Sequence, residues 1–157
     1  MEIRLIPAAP EDAETLYELQ VAAFLPLVEK YHDYERSPAC EPIGRLRERM
    51  SQADTCYYLI LCDGEPAGGI RVQTLSPGRY RFAPLFVHPE YQGRGIARQA
   101  LPLAEALCPG ALSWQLETIL EEPRLCRFYE SLGYVATGEE EEVPDSFLTL
   151  VHYRKDA

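Results

Sequence analysis

Apolar and polar positions alternate over residues 3–6, the period of a strand, and Pro7 and Pro10 then interrupt the chain before Glu11, Asp12 and Glu14 place acid where a helix begins. Ala13, Leu16, Tyr17, Leu19, Gln20, Ala23 and Phe24 recur at helical spacing and run towards Pro26 and Val28, the stripe that a helix turns to a core. Over residues 29–42 no period holds and Pro38 and Pro42 intervene, so this stretch reads as a loop or broken helix rich in hydrogen-bonding side chains. Ile43–Met50 reads as a short helix with Leu46 and Met50 on one face and arginines around the rest.

Three β-rich runs follow. Thr55–Cys62 and residues 67–75 are joined by Asp63-Gly64-Glu65-Pro66, a hairpin signal, and Arg79–Val87 follows the Ser76-Pro77-Gly78 turn and stops at His88-Pro89. Residues 95–107 carry Ile96, Ala100, Leu103, Ala104 and Leu107 at helical spacing, with Pro102 expected to bend the helix. Residues 111–119 read as a strand, 123–132 as a short helix closed by Gly133, and 134–142 and 147–154 as two last strands. This order predicts an α/β fold with a mixed, mostly antiparallel central sheet flanked by helices, and not a doubly wound one.

At 157 residues the chain matches one domain, spanning residues 1–157, and 46% apolar with 25% charged residues is the balance of a soluble globular protein. Its longest apolar runs fall far short of the roughly 20 residues of a membrane span, and Met1-Glu2-Ile3-Arg4 lacks a signal-peptide layout, which predicts a cytoplasmic protein. Five cysteines without Cys-x-x-Cys spacing suggest neither a disulfide framework nor a zinc site. They read as reduced and mostly buried, with Cys56 and Cys62 on one strand face and Cys126 left open as a reactive thiol. A net charge of −10 argues against nucleic acid or an anionic membrane as partner and suits a cationic one.

The segment Leu85-Phe86-Val87-His88-Pro89-Glu90-Tyr91-Gln92-Gly93-Arg94-Gly95-Ile96-Ala97-Arg98 is an apolar strand that passes through two glycines into a helix. Unpaired backbone N–H groups and the helix dipole converge at such a junction and make an anion site, to which Arg94 and Arg98 add charge. A dinucleotide fingerprint would need a third glycine where Arg98 stands, and a Walker loop would need Gly-Lys-Ser or Gly-Lys-Thr, so both fail.

What the spelling resembles is the GNAT superfamily of acetyl-CoA-dependent N-acetyltransferases. Gln92, Gly95 and Ala97 match its Gln/Arg-x-x-Gly-x-Gly/Ala signature, and Phe128-Tyr129-Glu130-Ser131-Leu132-Gly133-Tyr134 matches its aromatic-Tyr-x-x-x-Gly-aromatic segment. The resemblance implies acetyl-CoA as co-substrate, with no metal. It also implies that backbone groups of Leu85 and Val87 pair with the pantetheine arm as an added strand, that amides of Gly93, Arg94, Gly95, Ile96, Ala97 and Arg98 hold the pyrophosphate, that Phe86 and Gln92 belong to the same cofactor site, and that Tyr129 protonates the departing thiolate. Many members carry Asn where this chain has Glu122, so an amide contact there is not carried over.

Glu117, between Leu116 and Thr118 on a strand, is the leading candidate for the general base, with a plain solvent-side glutamate as the alternative; His88, beside Pro89, reads as a turn residue. In the family fold the first two helices and their connection lie over the cleft opposite the cofactor, which points to Tyr31, Asp33, Tyr34 and Glu41 as acceptor-binding residues. The function expected is acetyl transfer to a primary amine, a small amine or polyamine rather than a protein amine, by direct attack in a ternary complex. The alternative is a catalytically silent acyl-CoA binding module. The protein is expected to be a monomer or homodimer.

Overall fold

The computed structural model describes residues 1–157. β1 (Ile3–Pro7) leads through a short 3-10 turn into α1 (Ala13–Tyr31) and α2 (Ile43–Met50), then β2 (Thr55–Cys62), β3 (Glu65–Ser76) and β4 (Arg79–Val87). α3 (Ile96–Ala106), β5 (Ser113–Ile119), α4 (Pro123–Ser131), β6 (Val135–Glu142) and β7 (Thr149–Asp156) complete the chain. The strands form one seven-stranded sheet in the order β1-β2-β3-β4-β5-β7-β6. The expected α/β sheet is therefore present, with every pairing antiparallel except β4 with β5.

Each face of the sheet has its own cover. α3 lays Leu101 and Ala104 over Ile70, Tyr80, Phe82 and Leu116, while α1 and α2 pack Leu16, Leu19 and Leu46 against Tyr57, Leu59 and Phe86 on the opposite face. The stripe on α1 is thus the core stripe its spacing predicted. The helix runs through Pro26 to Tyr31, so residues 29–31, read as the start of a loop or broken helix, are helical, because Val28 and Tyr31 are buried beyond the proline and their packing outweighs one lost backbone hydrogen bond. His32, at φ 60°, closes it by donating its N–H to the Val28 carbonyl at 2.7 Å. α3 likewise continues through Pro102 as a single helix. No helix is long and apolar enough to cross a membrane.

The cysteines correct one expectation. Cys62 and Cys108 are buried and Cys126 half-buried, but Cys40 and Cys56 are exposed. Cys62 packs against Ile96 and Ala100 of α3. Cys56, at the far end of the same strand, lies outside that packing, so sharing a face did not confer burial.

The pairing of β4 with β5 is short. It covers only Arg79 with Ser113, Tyr80 with Trp114 and Arg81 with Gln115, after which the two strands part. The cause lies in β4. Its register against β3 runs from Val72 with Phe82 to Ile70 with Leu85, so Ala83 and Pro84 together face Arg71 alone. Such a bulge bends and twists the strand that carries it, and Pro84 has no N–H with which to join a ladder. The sheet opens there as a wedge.

Candidate active site

The wedge continues into a cleft of about 960 Å³ that runs from α1 and the loop after it, past the free edge of β4, to the glycine loop and α4. His88 N–H donates to Ala67 O on the β3 side at 2.8 Å. Alternate residues of a strand direct their backbone groups to opposite edges, so Val87 and Leu85 turn theirs to the open side. There the Val87 carbonyl accepts from Gln92 Nε2 at 2.9 Å, a bond that fastens the glycine loop to the end of the strand. The Leu85 and Val87 N–H groups thus form a short strand edge without a partner strand.

Gly93 and Gly95 both have φ of 79°, the left-handed region, and a Cβ built on either would meet nothing within 4 Å. The loop therefore curls around open space ahead of the first turn of α3, where backbone N–H groups are unpaired. Arg98 spans to α4, donating to Ser131 Oγ at 3.0 Å with its guanidinium 5.4 Å from the Phe128 ring centre. Arg94 stacks over Tyr91 at 5.2 Å and is not part of the cleft wall, whereas the other nine residues assigned to the cofactor all line it.

Tyr129 lies on α4 in the same wall, its ring edge-on to Phe128 and Tyr134. Tyr134 and Tyr153 donate their hydroxyls to Glu105 and Glu130. Tyr129 is perturbed by burial alone, which pushes its phenol up to about 12. It therefore carries its proton throughout the neutral range, with the hydroxyl free to donate.

On the acceptor side the predicted residues separate. Asp33 and Glu41 line the cleft. Tyr31 does not: it is 5% exposed, packs with Ile119, Val143 and Leu148, and donates its hydroxyl to Glu122 Oε2 at 2.6 Å. Tyr34 is 60% exposed and stacks on His32 outside the cleft. Burial and the Glu122 carboxylate raise the Tyr31 pKa, while hydrogen bonds from Lys30 and Tyr31 hold the Glu122 carboxyl below its ordinary range. Lys30 Nζ reaches the same Glu122 oxygen at 2.8 Å, so the carboxylate that stands where many family members carry Asn fastens α1 to the start of α4.

Glu117 also lines the cleft, but both its oxygens face Arg81 Nε, at 3.0 and 3.1 Å, and His152 Nδ1 stands 3.8 Å from Oε1. His88 acts locally: its Nδ1 accepts from the Glu90 N–H at 3.1 Å.

Three arginines that the sequence reading did not single out, Arg49, Arg71 and Arg81, line this half of the cleft as well. The signal was present. Arg71 and Arg81 each stand between apolar neighbours on a strand whose two faces are both covered by helices, where a cation is out of place unless it serves a site. Glu41 pairs with Arg49, whose pKa is raised by that hydrogen bond, and also accepts from Gln20 Nε2 at 2.6 Å. Gln20, fully buried on the α1 stripe, donates as well to the Pro38 carbonyl at 2.9 Å and so pins the loop that carries Asp33 and Glu41.

A splayed sheet edge and a glycine loop at a helix start suit a ligand with an extended, amide-bearing arm and an anionic end, and a tyrosine stands in the same wall. The profile of the acetyltransferase (GNAT) family matches residues 13–134, and the chain belongs to that family. None of the curated proteins matches it. Among solved structures it is similar to the spermidine N-acetyltransferase from Vibrio cholerae in complex with CoA and spermine, at 17% identity and TM-score 0.76, over 97% of this chain and 94% of that one. It is similar also to the ribosomal-protein-S18-alanine N-acetyltransferase from Escherichia coli, at 14% identity and TM-score 0.77, over 99% and 94%. A third is the PaiA N-acetyltransferase from Thermoplasma acidophilum in complex with coenzyme A, at 20% identity and TM-score 0.74, over 100% of both chains. At these identities the likeness shows the fold.

Proposed function

We propose that the protein transfers an acetyl group from acetyl-CoA to the primary amine of a small molecule, by direct attack in a ternary complex. The observation that carries this is the single cleft in which the unpaired β4 edge, the Gly93–Gly95 loop and the Tyr129 hydroxyl meet an acceptor side lined by Asp33, Glu41 and Glu117. The empty space ahead of Gly93 and Gly95 fits a pyrophosphate, and the Leu85 and Val87 edge fits an extended amide-bearing arm.

The amine nitrogen attacks the thioester carbonyl carbon, forming a C–N bond while the C–S bond breaks. Glu117 accepts the proton that leaves nitrogen, directly or through water, and Arg81 fixes its orientation. The Val87 N–H stabilises charge on the carbonyl oxygen, and Tyr129 gives its proton to the leaving sulfur.

The test is release of CoA thiol from acetyl-CoA in the presence of a panel of primary amines, with the acetylated amine identified by mass. Tight calorimetric binding of acetyl-CoA with no thiol released by any amine would return the protein to a silent binding module.

A further inference from the structure

We propose that the acceptor amine also carries an anionic group, in the simplest case a carboxylate, and that Arg71 binds it. This rests on the acetyl-transfer reading above and narrows its acceptor class. A cationic acceptor suits the charge of the whole chain, −10, but the cleft has a different balance: six arginines and four carboxylates line it.

Three of the four carboxylates are already matched. Glu41 faces Arg49, Glu117 faces Arg81 and Glu122 faces Lys30, while Asp33 accepts the Arg36 backbone N–H at 3.2 Å. A polyamine entering this cleft would compete with cations already in place. Arg71 is in the opposite position. Its contacts are all neutral and long, to Ala83 O at 3.5 Å, Thr55 Oγ1 at 3.2 and 3.3 Å, and Gln52 Oε1 at 3.5 Å. Distances at the outer limit of hydrogen bonding leave the guanidinium under-used.

Its surroundings make an anion favourable there. Burial, then the neighbouring Arg49 and Arg81 charges, lower the Arg71 pKa, with Tyr57 and Asp54 acting the other way. Asp54 is exposed and takes hydrogen bonds from Thr55 and Gln73. A half-buried guanidinium with only neutral, long contacts is stabilised by a carboxylate, which it can grip with two N–H groups in a geometry lysine does not offer. Arg71 also stands opposite the Ala83–Pro84 bulge, at the root of the free β4 edge. An acceptor anchored there is tethered beside the place where β4 and β5 part, with Glu117 on the neighbouring strand.

The experiment uses matched pairs that differ by one carboxylate: ornithine and putrescine, lysine and cadaverine, phenylalanine and phenethylamine, with 2-aminoethylphosphonate to distinguish a phosphonate from a carboxylate. In the wild type the acidic members should exceed their partners in kcat/KM by on the order of ten- to a hundred-fold. Arg71→Gln should bring that ratio close to one through the KM of the acidic members, with acetyl-CoA affinity within about twofold, and Arg71→Lys should restore part of it. Equal or better use of the diamines, or a ratio unmoved in Arg71→Gln, would overturn the proposal. Calorimetric titration of the CoA-bound wild type with the same pairs reads the anion site without turnover and does not depend on any variant folding. Carboxylate-dependent binding without thiol release would leave the anion site standing and sink the acetyl-transfer reading. No advantage for the carboxylate at millimolar concentration would sink the anion site.

Discussion

Arg81 Nε stands 3.0 and 3.1 Å from the two carboxylate oxygens of Glu117, across the last point at which β4 and β5 are still paired. A carboxylate gripped on both oxygens still has lone pairs for an incoming proton, and it is held where it can face the wedge. Glu117→Gln should lower kcat by about 10² to 10⁴-fold, since the amide cannot accept the proton. A variant that keeps kcat and moves only the acceptor KM would make Glu117 a positioning residue for Arg81.

Tyr129→Phe should leave acetyl-CoA affinity within a few fold and reduce turnover by roughly ten- to a thousand-fold, because the ring packing is kept and only the proton donor is lost. With its phenol pushed up to about 12, Tyr129 should impose no fall in rate between neutrality and pH 10. Pre-steady-state thiol release checks this; wild-type turnover would leave Tyr129 as packing.

Gly95→Glu should abolish acetyl-CoA binding while the fold survives. The φ of 79° is strained for any side chain, and the new carboxylate would project into the space assigned to pyrophosphate. Calorimetry with circular dichroism as the control decides it, and unchanged affinity would remove the anion site from this loop.

Stability should decline above about pH 10. Burial pushes Tyr58 and Tyr129 up to about 12 and raises Tyr134 and Tyr153 too, so the folded state holds these protons after the unfolded chain has released them. The sign follows: the contribution is whole below the unfolded tyrosine value and is lost as pH rises through the folded ones. Urea midpoints between pH 8 and 12 should fall, with tyrosinate absorbance appearing alongside unfolding; a flat midpoint would contradict it.

Asp33→Ala should raise the acceptor KM several-fold without touching acetyl-CoA affinity, whereas Tyr34→Ala should leave both unchanged, because only Asp33 lines the cleft. Tyr31→Phe should instead cost about 1 kcal/mol of stability through the lost hydroxyl bond to Glu122. Equal kinetic effects from Asp33 and Tyr34 would show that the loop moves as a unit on binding.

Much of this protein was legible in its sequence, because the signals are local. The β-rich composition of Thr55–Cys62 and the turns that bound Arg79–Val87, the helical stripe of α1 and the strand, glycine and helix order around Gly93 and Gly95 each depend on neighbours a few residues away. The backbone conformation at Gly95 and the place of Tyr129 on α4 came with their motifs.

What only the tertiary structure decided are relations between distant strands and loops. Tyr31 and Asp33 are two residues apart, yet one joins the core under Glu122 and the other faces the cleft, since a left-handed turn at His32 separates them. Arg49 with Glu41 and Arg81 with Glu117 are ion pairs closed by α2 against its preceding loop and by β4 against β5. A charge total over the chain cannot see such pairing, because electrostatic interaction depends on distance and burial and not on count. The sequence determined the elements and the glycine loop; the fold determined which charges pair with one another, and left Arg71 without a carboxylate.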